Sequence, residues 1–212
     1  MVFAEGHGVR PRELKSEVRG GSVSERQETE ARVSGILTPK RNFSKYNDPL
    51  EISESSLRDA VAIATSALKA GVNLSTVWSN AVVDCINQGI PLTAERLYEE
   101  GLKAGLTMSV PPEVKTPIAT HIKALLTPKR NFAKFNDPLE LDQDSLEQAL
   151  RVTRFGMQIT ANSNFLSKVW SDSIADDVGN GLVSIAKTKM TEALKTGIGL
   201  AFSPEVSEAL KS

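Results

Sequence analysis

The sequence predicts an all-α fold of two tandem homologous helical units, about four helices each, after a flexible N-terminal arm. Three observations predict it. Apolar residues recur at three- and four-residue spacing, alternating strand patterns are scarce, and one 15-residue block occurs twice. The predicted boundaries are residues 1–35 for the arm, 36–125 for the first unit and 126–212 for the second.

The repeated block is the sharpest feature of the sequence. Residues 37–51 (LTPKRNFSKYNDPLE) recur as 126–140 (LTPKRNFAKFNDPLE), with 13 of 15 positions identical at an offset of 89 residues. Three inserted residues then change the offset to 92, at which residues 77–79 (VWS) match 169–171. The register persists toward the C-terminus, so a duplication covers residues 37–212.

The arm before the repeat is predicted to be disordered, or ordered only on binding. Residues 1–35 interleave basic and acidic side chains with five glycines, and they carry almost no large apolar group after Val18. The arm has neither the apolar stretch of a secretory signal nor the acid-poor composition of a transit peptide.

Caps, apolar spacing and glycine stops predict the helices. Ser53 is a good N-cap for a helix that stops near Gly71, and Asp142 takes its place in the second unit. A second helix is expected to end at Gly89 and a third to begin near Thr93. The apolar stripes of the first two helices are Leu57, Val61, Ala64, Leu68, and Val77, Trp78, Ala81, Val82, Cys85, Ile86.

Two prolines mark further helix starts, Pro112 and Pro204, each followed by a glutamate that the helix dipole favours. The repeated block is then a loop between helices. Residues 116–126, just before its second copy, fit a continuous helix and a linker equally well.

Composition excludes several classes of protein. The 25 Lys and Arg balance 26 Asp and Glu, so the chain is neither a strongly basic nucleic-acid tail nor an acidic solvating domain. No run approaches the roughly 18 apolar residues of a membrane-spanning helix, so we expect no membrane partner. The single Cys85 cannot form an intrachain disulfide, which favours a reducing, cytoplasmic compartment.

Candidates for catalysis are few. His121 has no His counterpart in the second unit, and Cys85 falls on an apolar stripe. Asp172, Asp176 and Asp177 could attract a cation, although a solvated helix face is the favoured interpretation. The sequence has no phosphate-binding glycine loop, Walker sequence or zinc motif. We therefore expect a non-catalytic protein with no metal and no cofactor.

The repeated block is the candidate binding site because it places basic side chains around aromatic ones. Basic groups attract phosphate and exposed rings stack on bases, as in proteins that hold single-stranded nucleic acid. The candidate residues are Lys40, Arg41, Phe43, Lys45 and Tyr46, and Lys129, Arg130, Phe132, Lys134 and Phe135. The structural alternative is that Phe43 and Tyr46 fold onto the core, that Asn47, Asp48 and Pro49 form a simple turn that launches the next helix, and that the Lys and Arg side chains are merely solvated.

Two threonines in the block, Thr38 and Thr127, precede proline and resemble sites of proline-directed phosphorylation. A phosphate there would cancel much of the local positive charge and so could switch a charge-driven contact.

Three functions from different classes follow. The first is a structural protein that self-associates as a homo-oligomer and contacts single-stranded nucleic acid, as capsid and nucleocapsid subunits do, although a net charge of −1 weakens it. The alternative is an adaptor or scaffold that offers its two TPKRNF loops to a protein partner bivalently, regulated by phosphorylation. The least favoured is an enzyme that uses Asp172, Asp176 and His121.

Overall fold

The computed structural model describes residues 23–161 and 163–211, and helices dominate these residues. The all-α prediction is confirmed. In chain order the elements are α1 (Val23–Leu37), β1 (Lys40–Arg41), β2 (Leu50–Glu51), α2 (Glu54–Lys69), α3 (Ser75–Asn87), α4 (Pro91–Lys103), a 3-10 turn (Pro112–Val114), α5 (Lys115–Leu126), β3 (Lys129–Arg130), β4 (Leu139–Glu140), α6 (Gln143–Ile159), α7 (Asn164–Gly179), α8 (Val183–Lys195) and α9 (Pro204–Lys211). No helix among the described residues is long and apolar enough to cross a membrane.

Helix α1 corrects the prediction of a flexible arm over residues 1–35. Residues from Val23 onward are helical, and the helix packs against α2 and α3 with Val33 and Leu37 fully buried. These two side chains lie four residues apart, on one face of the helix, and their burial stabilises it. The rest of the predicted arm, residues 1–22, lies outside the described residues.

The predicted caps and stops of α2 are confirmed. The Ser53 hydroxyl accepts the Ser56 N–H at 3.1 Å, and the Asp142 carboxylate accepts the Ser145 N–H at 2.8 Å at the start of α6. Just beyond α2, Gly71 has a φ of +81°, the left-handed conformation in which glycine ends helices.

Helix α5 joins the two halves of the chain. Residues 116–126 form a continuous helix rather than a linker, and its side chains Ile118, Ile122 and Leu126 are fully buried. The helix packs against α6, α7 and α3, so one hydrophobic core runs from Val33 to Ile198. A smaller cluster around Ile174, Ala186 and Leu210 lies under α9.

The two tryptophans occupy equivalent core positions and satisfy their indole N–H groups differently. Trp78 Nε1 donates to the Leu97 carbonyl at 2.6 Å, whereas Trp170 Nε1 donates to Thr153 Oγ1 at 3.0 Å. The ring of Trp78 lies against Gly101, where a Cβ atom would stand 2.7 Å from Nε1. Only glycine therefore fits at position 101.

We expect Gly101→Ala to destabilise the protein by about 1–3 kcal/mol, because the new methyl group overpacks the core against the Trp78 ring. Helix propensity alone would act in the opposite direction, favouring Ala by about 1 kcal/mol. Urea unfolding gives the free energy. The matched control is Gly179→Ala, also in a helix, where a Cβ meets nothing within 4 Å. A variant at position 101 as stable as wild type would contradict this packing.

Candidate binding hairpins

The repeated block forms two short antiparallel hairpins with the same register, which we call the first hairpin (residues 40–51) and the second hairpin (residues 129–140). The predicted position is correct, since the hairpins connect α1 to α2 and α5 to α6. The prediction of a plain loop missed the two-residue strands. The paired residues are Lys40 with Glu51, Arg41 with Leu50, Lys129 with Glu140, and Arg130 with Leu139.

An asparagine organises the turn of each hairpin. In the first, the Asn42 N–H donates to the Pro49 carbonyl at 2.9 Å, and the Asn42 Oδ1 accepts the Ser44 N–H at 3.1 Å. Asn131 makes the same two bonds, to the Pro138 carbonyl and from the Ala133 N–H, at the same distances. The side-chain amide thus replaces a backbone turn partner.

Two residues near the end of each turn, five and six positions after this asparagine, adopt a left-handed backbone. Asn47 and Asp48 have φ values of 64° and 43°, and Asn136 and Asp137 have 64° and 44°. Asparagine and aspartate tolerate this region better than other residues with side chains. The structure therefore explains why the Asn-Asp pair is identical in both copies.

A glutamate at the end of each hairpin accepts hydrogen bonds from two side chains. Glu51 accepts Lys45 Nζ at 2.7 Å and also the Asn42 side-chain amide. Glu140 repeats the arrangement, accepting Lys134 Nζ at 2.6 Å and Asn131 Nδ2 at 2.8 Å. These hydrogen bonds lower the pKa of each carboxyl below its ordinary value, and the bond from the lysine contributes more than the bond from the asparagine. Lys45 and Lys134, both predicted binders, thus already have partners within the fold.

The aromatic side chains project into solvent. Phe43 is 78% exposed, Tyr46 92%, Phe132 78% and Phe135 91%. The part of the structural alternative that folds these rings onto the core is therefore wrong, whereas Asn47 and Asp48 do lie in a turn. Each hairpin therefore exposes two large rings, and apolar groups that form a contiguous exposed patch are typical of interaction surfaces.

The remaining cations of the block are exposed as well: Lys40, Arg41, Lys129 and Arg130. Arg41 Nη1 makes a long contact of 3.5 Å to the Asp48 carbonyl. None of the four is in an ion pair with any part of the chain that the structure describes, whereas the block lysines 45 and 134 are. Each hairpin therefore carries two exposed rings and two exposed cations that have no ion-pair partner among the described residues.

A cleft of about 220 Å³ opens beside the first hairpin, between its cations and the start of α2. Lys40, Arg41 and Phe43 line it together with Ser53 and Ser56, and so does the Glu51 carboxylate, whose negative charge opposes that of a phosphate. Cations, hydroxyl groups and a helix N-terminus are the groups that bind phosphate oxygens in proteins.

Both candidate phosphorylation sites are exposed, at the ends of α1 and α5. The Thr38 hydroxyl donates to the Ser34 carbonyl at 2.8 Å, and the Thr127 hydroxyl donates to the Lys123 carbonyl at 2.8 Å. Each threonine lies two residues before the first cation of its hairpin and three residues before the second.

The candidate catalytic residues lie on α5 and α7. His121 is half-buried, which lowers its pKa, while Asp172 pairs with Lys168 at 2.9 Å and Asp176 is exposed. Within the described residues, no hydrogen bond or ion pair joins His121 to either aspartate. Residues 23–161 and 163–211 also contain no group of three His, Cys, Asp or Glu that could hold a metal ion.

The single cysteine and the third aspartate of the cluster are both core residues. Burial raises the pKa of the Cys85 thiol to about 12, with a smaller contribution from Asp84, so the thiol stays protonated at neutral pH. The prediction of a solvated face is wrong for Asp177, which is buried 2.5 Å from Nζ of the fully buried Lys189. Lys189 also donates to Ser173 Oγ at 2.9 Å.

The sequence gives little sign of this buried pair. At the 92-residue offset, Lys189 stands where the first unit has Leu97, and Asp177 where it has Cys85. Burial raises the pKa of Asp177 and lowers the pKa of Lys189, and each charge opposes that shift in its partner. The one sequence signal for this ion pair is that two apolar residues of the first unit are replaced by two opposite charges in the second. This signal is visible only when the two copies of the repeat are aligned.

Comparisons with protein-family models, with curated proteins and with solved structures found no match.

We expect Lys189→Leu alone to cost about 3–5 kcal/mol of stability, because it leaves the Asp177 carboxylate buried without its cation. Adding Asp177→Cys restores the residues of the first unit and should recover most of that loss. Chemical denaturation of the two single variants and the double variant measures the coupling. Additive losses in the double variant would contradict the pairing.

The carboxyl pKa values of the hairpins provide a separate test. Because the folded pKa of Glu51 is lowered, the contribution of its bonds to hairpin stability is present above the ordinary pKa. It is lost as the pH falls through the folded value. Lys45→Met should raise the pKa of Glu51 and leave Glu140 as the internal control. NMR titration of the side-chain carboxyls measures both, and an unchanged Glu51 would contradict the contact.

Proposed function

We propose that this is a non-catalytic structural protein that holds single-stranded nucleic acid with its two hairpins and self-associates as capsid or nucleocapsid subunits do. One observation carries the proposal. Each hairpin exposes two aromatic rings beside two cations that have no ion-pair partner among the described residues. Cations neutralise phosphates and ring faces stack on bases, which are the two requirements for holding a single strand.

Two groups can be distinguished among the positions that are identical in the two copies. The fold accounts for Asn42, Lys45 and Glu51 by their hydrogen bonds, and for Asn47 and Asp48 by their backbone conformation. The second group has no comparable role in the fold, and its first-hairpin members are Lys40, Arg41 and Phe43. Retention of this second group favours a partner that contacts both hairpins.

The nature of the rings also favours stacking. Tyr46 in the first hairpin is replaced by Phe135 in the second, with the same exposure. The exchange keeps the ring face and removes the hydroxyl group. A function shared by both copies therefore depends on the ring face, as base stacking does.

We also propose that the chain is a tandem pair of one helical unit, over residues 36–125 and 126–212, and that it forms homo-oligomers in the cytoplasm. The equal register of the two hairpins and the repeated order of helices around them support the tandem arrangement. Helix α5 then closes the first unit and opens the second.

Binding of a single-stranded oligonucleotide should weaken with salt in proportion to the phosphates that the protein neutralises. Four contacts, from Lys40, Arg41, Lys129 and Arg130, give a slope of log affinity against log salt of about −3, and six contacts would give about −4. We expect the lower slope because Lys45 and Lys134 are paired with glutamates. Fluorescence anisotropy with a labelled oligouridine across a salt series measures it.

Changing these four cations to Ala should abolish the salt-dependent binding. The control variant removes the same charge elsewhere, with Ala at the exposed positions Lys69, Lys168, Lys195 and Lys211. Phe43→Ala with Phe132→Ala should weaken binding by about 1–3 kcal/mol per lost stacking contact and leave the salt slope unchanged. Equal effects of the two quadruple variants would show that binding follows net charge and would overturn the hairpin assignment.

The adaptor function is the second candidate, favoured by the exposure of Thr38 and Thr127 beside the hairpin cations. Here the rings dock into a partner protein, and phosphate near the cations regulates the contact. Failure to bind any single strand at low salt, together with salt-insensitive binding of a protein through Phe43 and Phe132, would favour the adaptor.

A further inference from the structure

The two copies of the hairpin segment differ in charge at one position. Residues 37–53 and 126–142 align without gaps, and four of the 17 positions differ. These positions pair Ser44 with Ala133, Tyr46 with Phe135, Ile52 with Leu141, and Ser53 with Asp142. The first three exchanges leave the charge unchanged. The fourth replaces a neutral hydroxyl group by a carboxylate, so the second copy carries one negative charge more than the first.

The exchanged residue is the N-cap of the helix that follows each hairpin. Its backbone is extended in both copies, and its side chain accepts the N–H of the third residue after it. The Asp142 carboxylate also accepts the Ser145 hydroxyl at 3.0 Å. These two bonds, the one from the N–H first and the one from the hydroxyl second, lower the pKa of Asp142. The carboxylate is therefore charged at neutral pH and is held in place at the start of α6.

This charge lies beside the first cation of the second hairpin. Asp142 stands two residues beyond Glu140, which pairs with Lys129 across the hairpin. In the first copy, the equivalent Ser53 lines the same cleft as Lys40. Lys129 makes a smaller contribution to the lowered pKa of Asp142, as a nearby cation does. The position next to the first cation is therefore neutral in the first hairpin and negative in the second.

The other carboxylates at the two helix starts do not cancel this difference. Glu54, which follows Ser53, forms an ion pair with Arg96 of α4. Asp144 lines a separate cleft, between α6 and Leu92 of α4. Asp142 makes its hydrogen bonds to Ser145 and is in no ion pair within the described residues. Its charge therefore acts on whatever anion binds at the hairpin.

We propose that the N-cap residue sets the phosphate affinity of each hairpin, so that the first hairpin is the stronger site for a single strand and the second, opposed by Asp142, is the weaker. This inference rests on the proposed function. The carboxylate repels a phosphate bound at Lys129, whereas Ser53 adds no charge beside Lys40. Two unit charges a few ångströms apart in water interact weakly, which corresponds to about a two- to fivefold difference in affinity at low salt.

NMR titration of the full ¹⁵N-labelled chain with a 5′-phosphorylated uridine dinucleotide tests the inference. The amide shifts of Arg41 and Arg130 give a separate dissociation constant for each hairpin. At low salt, the constant of the second hairpin should be about two to five times that of the first. The ratio should approach one as salt screens the Asp142 charge.

Reciprocal exchanges keep both helix caps, because serine and aspartate are both good N-cap residues. Asp142→Ser should lower the dissociation constant of the second hairpin to that of the first. Ser53→Asp should raise the constant of the first hairpin by the same factor. The matched control is Asp144→Ser, which removes an exposed carboxylate from the same turn of α6 and should leave the ratio unchanged.

The outcomes separate this inference from the proposed function. Equal dissociation constants in the wild-type chain at low salt, or tighter binding at the second hairpin, would overturn the inference and leave the proposed function standing. A difference that Asp142→Ser does not change would overturn it as well. Binding at neither hairpin would overturn the proposed function, and this inference with it.

Discussion

In each hairpin one glutamate carboxylate accepts hydrogen bonds from a lysine and an asparagine. These bonds stabilise the turn, and the exposure of the rings and cations on it depends on them. Glu51 gathers the Lys45 ammonium and the Asn42 amide, and Asn42 in turn fixes the turn through its own Oδ1 and N–H. Because these polar groups satisfy one another, the turn holds its form without drawing Phe43 or Tyr46 onto the core. The second hairpin repeats the contact with Glu140. The rings, and the four cations that have no ion-pair partner among the described residues, therefore stay exposed.

The helical scaffold gives these hairpins their common support. Both emerge from one continuous core, in which α5 ends at the second hairpin and packs against α3, α6 and α7. Helix α4 also packs against α6 through the edge-on contact of Tyr98 with Phe155, which joins the first half of the chain to the second. In the proposed function, two hairpins on one body would raise the effective concentration of the second contact once the first has formed, which would strengthen binding of a long strand without new contacts.

The sequence predicted those features that depend on interactions between residues close together in the chain. The caps Ser53 and Asp142, the stop at Gly71 and the position of the repeated block all follow from residues within a few positions of one another. Side-chain contacts that depend on the folded structure could not be predicted from the sequence. The pairing of Lys45 with Glu51 requires the hairpin register, and two-residue strands leave no alternating pattern to reveal it. Helix α1 was missed because its only buried side chains are Val33 and Leu37, at one end of a polar stretch. Asp177 read as a surface carboxylate because its partner Lys189 lies on another helix.

The most direct measurement of the central claim is the amide NMR spectrum of the ¹⁵N-labelled full chain, titrated with a short oligouridine at low salt. The account predicts that the largest shifts fall together on the exposed cations and rings of both hairpins, at positions 40, 41, 43 and 46 and at positions 129, 130, 132 and 135. The amides of Asn42 and Asn131 should shift less because their hydrogen bonds stay within the hairpin. Shifts confined to other surfaces, or none at a saturating concentration, would contradict it.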